Sequence, residues 1–449
     1  MITIYFPLEK TSRLKYVAEH LFNHILGVDF TIISDKKELS NKDDILINYS
    51  EENLKRGIRI IPNGLLTEEN LTPREELAVS EWKGLFVFFS NKKGDIPFDL
   101  FSAAFYLLTL YQEYFPTRLD KHGRFDHSES LLYKNEVLEV PVIDRWAYFL
   151  KEEIEKAGYK TADFTLRKYR TISTYDVDYP FLFRNKGWIK NIGGALKDLL
   201  NGDLDAIKNR ALVQLHLKED PYLKALTVIN DVQTKLRKEY YLFVLLGDKG
   251  KYGVSTVYSP KRFYDYIKKL SAVTIGLHPS YESFRNLEML MKEKMDLERI
   301  LERKVNVSRQ HFLRMRSPET FQELNLTGIQ EDYSLAFAHA PGFRSGTAVP
   351  YFFYDIQKEE KSSLMIHPTI VMDSTFIYHM KLTPVQALEK IKKLADECKK
   401  SGGDFLSLWH NSNLAHSVRQ NPWISVYLQS YKYAVSMEKE SPCDEKCIT

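Results

Sequence analysis

A chain of 449 residues is too long for one ordinary core, so two or three structural units are expected. Its hydrophobic share of 44% and charged share of 27% are those of a soluble globular protein, not of a disordered or fibrous one. Lys+Arg at 63 against Asp+Glu at 60 leaves no basic excess to gather on one face, which argues against a dedicated nucleic-acid binder.

The three cysteines cannot make a disulfide framework. Cys398 stands alone in a helical run, and Cys443 and Cys447 lie in a polar tail. That pair reads as incidental, because structural zinc sites take four ligands. The opening apolar run, residues 1–8, is broken by Glu9 and Lys10 and is too short for the core of a signal peptide. No window approaches the eighteen or so apolar residues of a membrane helix. A cytoplasmic location and no membrane segment are expected.

In chain order, residues 1–8 read as a strand. Residues 11–26 then place Leu14, Val17, Ala18, Leu21 and Ile25 at helical spacing, with Gly27 as the carboxyl cap. Short strands are predicted at 30–33, 45–49, 58–61 and 85–89. A helix over 99–114 carries Phe101, Phe105, Tyr106, Tyr111 and Tyr114, a stripe suited to core or to an interface between units. The polar run Asp120 to His127 has turn chemistry at Gly123 and reads as a solvated loop, although His122, Arg124 and His127 could reach into a site. A helix over 144–157 leads to a boundary near residue 165.

Beyond it, strands are predicted near 171–176, 241–246, 273–277, 305–308, 364–371 and 404–409. Helices near 185–200, 221–237, 260–270, 283–303, 383–400 and 421–437 lie between and after them. This alternation predicts a parallel sheet, and roughly 280 residues suit a (β/α) barrel. The division is therefore 1–165, a smaller α/β accessory unit, and 166–449, the barrel.

In such barrels chemistry sits at the carboxyl ends of strands. Four predicted strands end there on Asp or His. Thr171–Tyr175 runs into Asp176-Val177-Asp178, 273–277 into His278, 305–308 towards His311, and 405–408 into His410. Metal-assisted hydrolysis needs protein ligands with an open position, a base for water and an acid for the leaving group. Asp178, His278 and His311 supply one carboxylate and two imidazoles for a divalent cation. Asp176 is left as the base, and His410 could protonate a departing amine. Arg344, flanked by Gly342 and Gly346, could hold Asp176 ionised. Glu282, four residues after His278, is an alternative ligand if a helix begins there. Asp373 also ends an apolar strand and could contact substrate or Arg344, and His367, before Pro368, could line the pocket. His339, His379 and His416 have no comparable context.

With these residues in view, the span from about 166 to 415 resembles the polysaccharide deacetylase superfamily, the bacterial metal-dependent carbohydrate esterases. Thr174-Tyr175-Asp176-Val177-Asp178 is similar to that family's Thr-Phe-Asp-Asp motif, in which the first Asp is the base and the second binds metal, with one residue inserted here. His278-Pro279-Ser280-Tyr281-Glu282 is similar to the His-Ser/Thr-x-x-His motif but lacks its second histidine. Either Glu282 or, favoured here, His311 of Arg309-Gln310-His311 takes that place. Arg344-Ser345-Gly346 and Leu408-Trp409-His410 resemble the arginine and Leu-x-His motifs. The region around Gly123-Arg124-Phe125 is similar to a leading domain found in a divergent branch.

The resemblance implies a Zn²⁺-dependent enzyme that removes an N-acetyl or other small acyl group from a carbohydrate, such as a surface-polysaccharide precursor. Two alternatives remain on the sequence. One is an amidohydrolase of a non-sugar amide. The other is a metal-free glycan-binding or scaffolding module, which the missing motif histidine would explain.

Overall fold

Strands and helices alternate from the first residues of the computed structural model. It describes residues 2–8, 12–39, 45–74, 76–158, 164–184, 187–246, 261–270, 272–415 and 421–438. Cys443, Cys447 and His416 lie outside these. β1 (Ile2–Tyr5) pairs in parallel with both β2 (Phe30–Ile33) and β3 (Ile45–Tyr49), and β3 with β4 (Ile58–Ile60), giving the order β2-β1-β3-β4. β5 (Val79–Trp82) and β6 (Leu85–Phe88) form a separate antiparallel pair.

The predicted first helix starts as an α-helix over Ser12–Ala18 and widens to a π-type helix over Glu19–Leu26. Gly27 ends it at φ 61°, as its position foretold. The site also needs a missing side chain, since a Cβ there would lie 1.9 Å from the Thr165 carbonyl oxygen. The aromatic stripe falls on Leu100–Leu108 and on the turn Tyr111–Tyr114. Every side chain of that helix is buried, as expected of core.

The larger sheet has nine strands, in the order β12-β13-β11-β10-β9-β8-β7-β15-β14. The ranges are β7 Arg170–Val177, β8 Tyr240–Leu245, β9 Val273–His278, β10 Val307–Ser308 and β11 Glu331–Asp332. They continue with β12 Tyr351–Asp355, β13 Glu360–Ile366, β14 Val371–Met372 and β15 Asp404–His410. All neighbours are parallel except the edge strand β12, which runs antiparallel to β13. The sheet curls without its edge strands β12 and β14 pairing, so the expected (β/α) barrel takes the form of an open half-barrel in a mixed α/β protein.

Parallel strands buried on both faces read as continuous apolar runs, and β8, YYLFVL, is one. Residues 364–371, predicted as one strand, divide into the end of β13 and the short β14, with His367-Pro368 in the break. Proline supplies no N–H for a ladder and disfavours continuation of a central strand.

One apolar cluster runs from Ile2 to Met437 and includes side chains of both sheets. The first helix reaches the β12–β13 hairpin directly. Arg13 makes a bidentate pair with Glu359, and Tyr16 Oη donates to the Phe352 carbonyl at 2.8 Å. Among the described residues no helix is long and apolar enough to cross a membrane.

Candidate metal centre

Parallel register brings the carboxyl ends of the central strands to one edge of the sheet. His410, the last residue of β15, is the register partner of Asp176 on β7, and His278, the last of β9, is that of Leu245 on β8. The period-two alternation of a strand sends Asp176 to the face opposite Tyr175. Tyr175 turns into the core, where its hydroxyl lies 2.7 Å from Tyr427 Oη and accepts from Gln233 at 2.7 Å. That buried network fixes the strand from behind while its acids project at the open end.

Asp178, His278 and His311 are brought together as the sequence predicted, each offering one ligand atom within 4.8 Å of the others. His278 Nε2 lies 3.1 Å from His311 Nδ1 and 3.2 Å from Asp178 Oδ1, and His311 Nδ1 is 3.5 Å from that same oxygen. Tetrahedral ligands at zinc distances of about 2.0–2.1 Å would stand about 3.3 Å apart. The three separations bracket that value.

The donor chemistry fits as well as the spacing. His278 Nδ1 donates to the Arg309 carbonyl oxygen at 2.5 Å, which fixes the tautomer and leaves the Nε2 lone pair facing the other two donors. Asp178 Oδ1 is buried and accepts no hydrogen bond among the described residues, an orphaned acceptor of the kind a cation satisfies. Burial opposes the charge of Asp178, but the adjoining His278 and His311 hold its carboxyl well below the usual range. Burial likewise disfavours a charged His278, yet Asp176 and Asp178 push its pKa up. A cluster this rich in negative charge calls for a positive partner.

Asp176 is 2% exposed and lies outside the ligand set, its Oδ2 3.6 Å from His278 Nε2. Its partner is Arg309, not Arg344. Fully buried, Arg309 donates from Nη1 to Asp176 Oδ1 at 3.0 Å, from Nε to the Tyr333 carbonyl and from Nη2 to Thr369 Oγ1, with its guanidinium over the Phe243 ring. Arg344 corrects the sequence expectation. Its Nε and Nη2 donate to Glu113 at 2.9 and 2.6 Å, and Nη1 takes the Ala336 carbonyl, so it ties the turn after the aromatic helix to the 336–344 loop. A buried guanidinium needs a carboxylate, and for Arg344 Glu113 supplies it.

His410 stands where predicted and is oriented by a residue given another role. Asp373, just past β14, takes the His410 Nδ1 proton at 2.6 Å and its backbone N–H at 2.8 Å, while Asn413 Nδ2 donates to the same carboxylate at 3.0 Å. Asp373 thus contacts neither Arg344 nor open solvent. Burial works against the His410 charge, but Asp373 together with Asp178 and Asp176 outweighs it and raises the pKa to about 10.

Glu282 is not in the metal-ligand group. It sits in the one-turn helix Tyr281–Ser283, and no longer helix starts at His278. His367 stacks on Tyr333 at 4.3 Å and faces Glu331 Oε2 at 2.9 Å. His127, His339 and His379 form a row of rings with centroids 5.2 and 4.2 Å apart, an assembly of distant segments that no local spacing announced.

The loop after Asp120 also departs from expectation, because His122 and Arg124 are buried rather than solvated. They lie against Tyr281 and Phe312, close in sequence to His278 and His311. The turn following His311 is itself unusual. Phe312 and Leu313 have φ of 61° and 48°, left-handed values that cost non-glycine residues about 1–3 kcal/mol each.

Residues 2–159 match a family described only as one of unknown function (DUF7033). No curated protein matches the chain in sequence. Among solved structures, a candidate polysaccharide deacetylase from Mycobacterium smegmatis is similar at 14% identity and TM-score 0.40, over 60% of this chain and 85% of that one. A candidate polysaccharide deacetylase involved in O-antigen biosynthesis from Bordetella bronchiseptica is similar at 11% identity and TM-score 0.28, over 61% and 85%. The 4-alpha-glucanotransferase of Thermococcus litoralis is similar at 13% and 0.37, over 62% of this chain and only 39% of that one. Likenesses of this size say nothing about activity.

Proposed function

We propose that the protein is a metal-dependent hydrolase that removes an N-acetyl or other small acyl group from a carbohydrate, with a surface-polysaccharide precursor in the cytoplasm as its substrate. The single observation that carries the reading is the Asp178–His278–His311 group, three donors at ligand-like separations with a fixed tautomer and an unsatisfied carboxylate oxygen. Residues 166–449 are the catalytic unit in this reading and 1–165 the accessory one.

Asp178, His278 and His311 would hold a divalent cation, Zn²⁺ by this donor set, which when bound supplies Lewis-acid polarisation of the acyl carbonyl and a more acidic water. Asp176 takes the proton of the attacking water, its carboxylate oriented by the hydrogen bond from the buried Arg309 guanidinium. His410, with Nδ1 committed to Asp373, presents Nε2 as the acid that delivers a proton to the departing amine nitrogen. The acid thus sits beside an anion, Asp373, which favours its protonated form.

Metal content and acetate release from N-acetylated sugars test the proposal. About one divalent ion per chain is expected, with release abolished by chelator and in Asp176→Asn. Full release in Asp176→Asn would remove the assigned base. Release from non-sugar amides alone would move the substrate class to the amidohydrolase alternative. A chain without metal whose sugar affinity ignores chelator would be the binding module instead.

A further inference from the structure

The left-handed turn after His311 is held by a side chain 188 residues earlier in the chain. A pair of non-glycine residues at positive φ persists only where the surroundings over-determine it. One determinant is Arg124, within the segment that matches the family of unknown function, whose Nη1 donates to the Phe312 carbonyl oxygen.

Arg124 is 7% exposed and is itself fixed. Its Nε donates to Asp120 Oδ2 at 2.7 Å, its Nη2 lies 2.6 Å from the same oxygen, and its backbone N–H donates to Asp120 Oδ1 at 3.1 Å. Asp120 also accepts from the His122 backbone at 2.8 Å, and Gly123, at φ 77°, closes the turn. A second arginine completes the clamp. Arg314 donates from Nε to the His122 carbonyl at 2.9 Å and from Nη1 to the Tyr281 carbonyl at 2.6 Å. The His122 and Tyr281 rings then pack on Phe312 at 5.1 and 5.6 Å.

We propose that Arg124, fixed by Asp120, is a positioning residue for His311: it pins the 311–313 turn so that the imidazole meets Asp178 and His278 at one centre. The part of the chain without an assigned role thereby completes the metal site. This inference rests on the metal-centre reading above. Without the guanidinium the Phe312 carbonyl loses its donor, the positive-φ pair is free to relax, and His311 Nδ1 leaves its place 3.1 Å from His278 Nε2. A lysine would retain the charge opposite Asp120, but its point-like ammonium cannot span the carboxylate and the carbonyl together.

The test uses full-length metal-free protein, with Zn²⁺ affinity measured against a chromophoric chelator and the absorption of bound Co²⁺ read as a report of ligand geometry. Arg124→Ala and Arg124→Lys should weaken Zn²⁺ by about 10–100-fold, the usual effect of losing a group that orients a ligand, and should change the Co²⁺ spectrum. Lys121→Ala, in the same loop but exposed, should change neither. Thermal unfolding of the metal-free proteins checks folding, and if Arg124→Ala does not fold, Arg124→Lys decides alone. A folded Arg124→Lys with Zn²⁺ affinity within about twofold of the parent and an unchanged Co²⁺ spectrum overturns the inference while leaving the metal centre standing. A parent protein that takes up neither ion overturns both.

Discussion

Replacing Asp373 by Asn tests the assignment of His410 as acid without touching the metal ligands. Asp373 Oδ1 lies 2.6 Å from His410 Nδ1, and the imidazole pKa is raised to about 10. The charges of Asp178 and Asp176 contribute to that rise, and a cation held by Asp178 would offset them, so the share of Asp373 is what would endure with metal bound. A hydrogen bond to a charged partner contributes about 1.5–3 kcal/mol, which at 1.36 kcal/mol per unit is about 1–2 pH units. An acid must be protonated to act, so activity falls as pH rises through its pKa. Asp373→Asn should therefore draw the alkaline limb of the kcat profile down by about 1–2 units, costing roughly two- to tenfold at pH 9 and little near pH 6.

Linkage gives the same sign for folding. A raised imidazole pKa contributes stability that is complete below about 6.5, the ordinary value, and is lost as pH rises through about 10. The variant should flatten that loss in metal-free protein. An alkaline limb that stays in place in Asp373→Asn would refute the role given to His410.

Three further outcomes are expected. Arg309→Gln leaves Asp176 buried without its cation, and by the usual cost of breaking a buried pair it should lower unfolding free energy by about 3–5 kcal/mol in a denaturant titration. Zn²⁺ at a hundred times its dissociation constant should stabilise the parent by about 2.7 kcal/mol in the same titration, and chelator or His311→Ala should remove that gain. Asp144 is fully buried, and burial raises its carboxyl to about 7 despite hydrogen bonds from Thr347 and Ala348. Its contribution to stability is thus present below the ordinary carboxylate value near 4 and fades as pH climbs through about 7, so Asp144→Asn should flatten the pH dependence of unfolding across that window.

The parallel strands were legible because burial on both faces leaves an uninterrupted apolar run, and β7, β8, β9 and β15 lie within a residue or two of their predicted bounds. β10, β11 and β14 are two residues long, too short to carry any period, and only their neighbours' register makes them strands. At the site, a strand ending on Asp or His was enough to mark Asp176, Asp178, His278 and His410. Partnerships were harder. Arg309 and Arg344 look alike in a sequence, each a lone guanidinium near polar loop residues, and which one meets Asp176 depends on a contact across 133 residues. The signal available was local: Arg309 follows β10 directly, two residues before a ligand. Arg344 lies in a loop whose carboxylate partner, Glu113, comes from the aromatic helix's far end. Asp373 was marked as a strand end, but its hold on His410 required β14 and β15 to be neighbours.

The two acids at the end of β7 show how one strand supplies two chemistries. Separated by a single residue, Asp176 and Asp178 leave the strand on the same side, so neither sequence distance nor direction tells them apart. Their surroundings do. Asp176 stands one residue inside the strand, where the sheet's interior offers a buried guanidinium as its hydrogen-bond partner. Asp178 stands one residue beyond it, where the His278 and His311 imidazoles converge and, among the described residues, no hydrogen bond reaches Oδ1. A displacement of two residues along a strand is about 6.6 Å, enough to carry a carboxylate from the packed layer to the rim. Exchanging the roles would require a cation to enter the layer that Arg309 already fills, and the desolvated guanidinium leaves it no place. The intervening Val177, buried in the core, is what gives the two carboxylates separate environments on a common face.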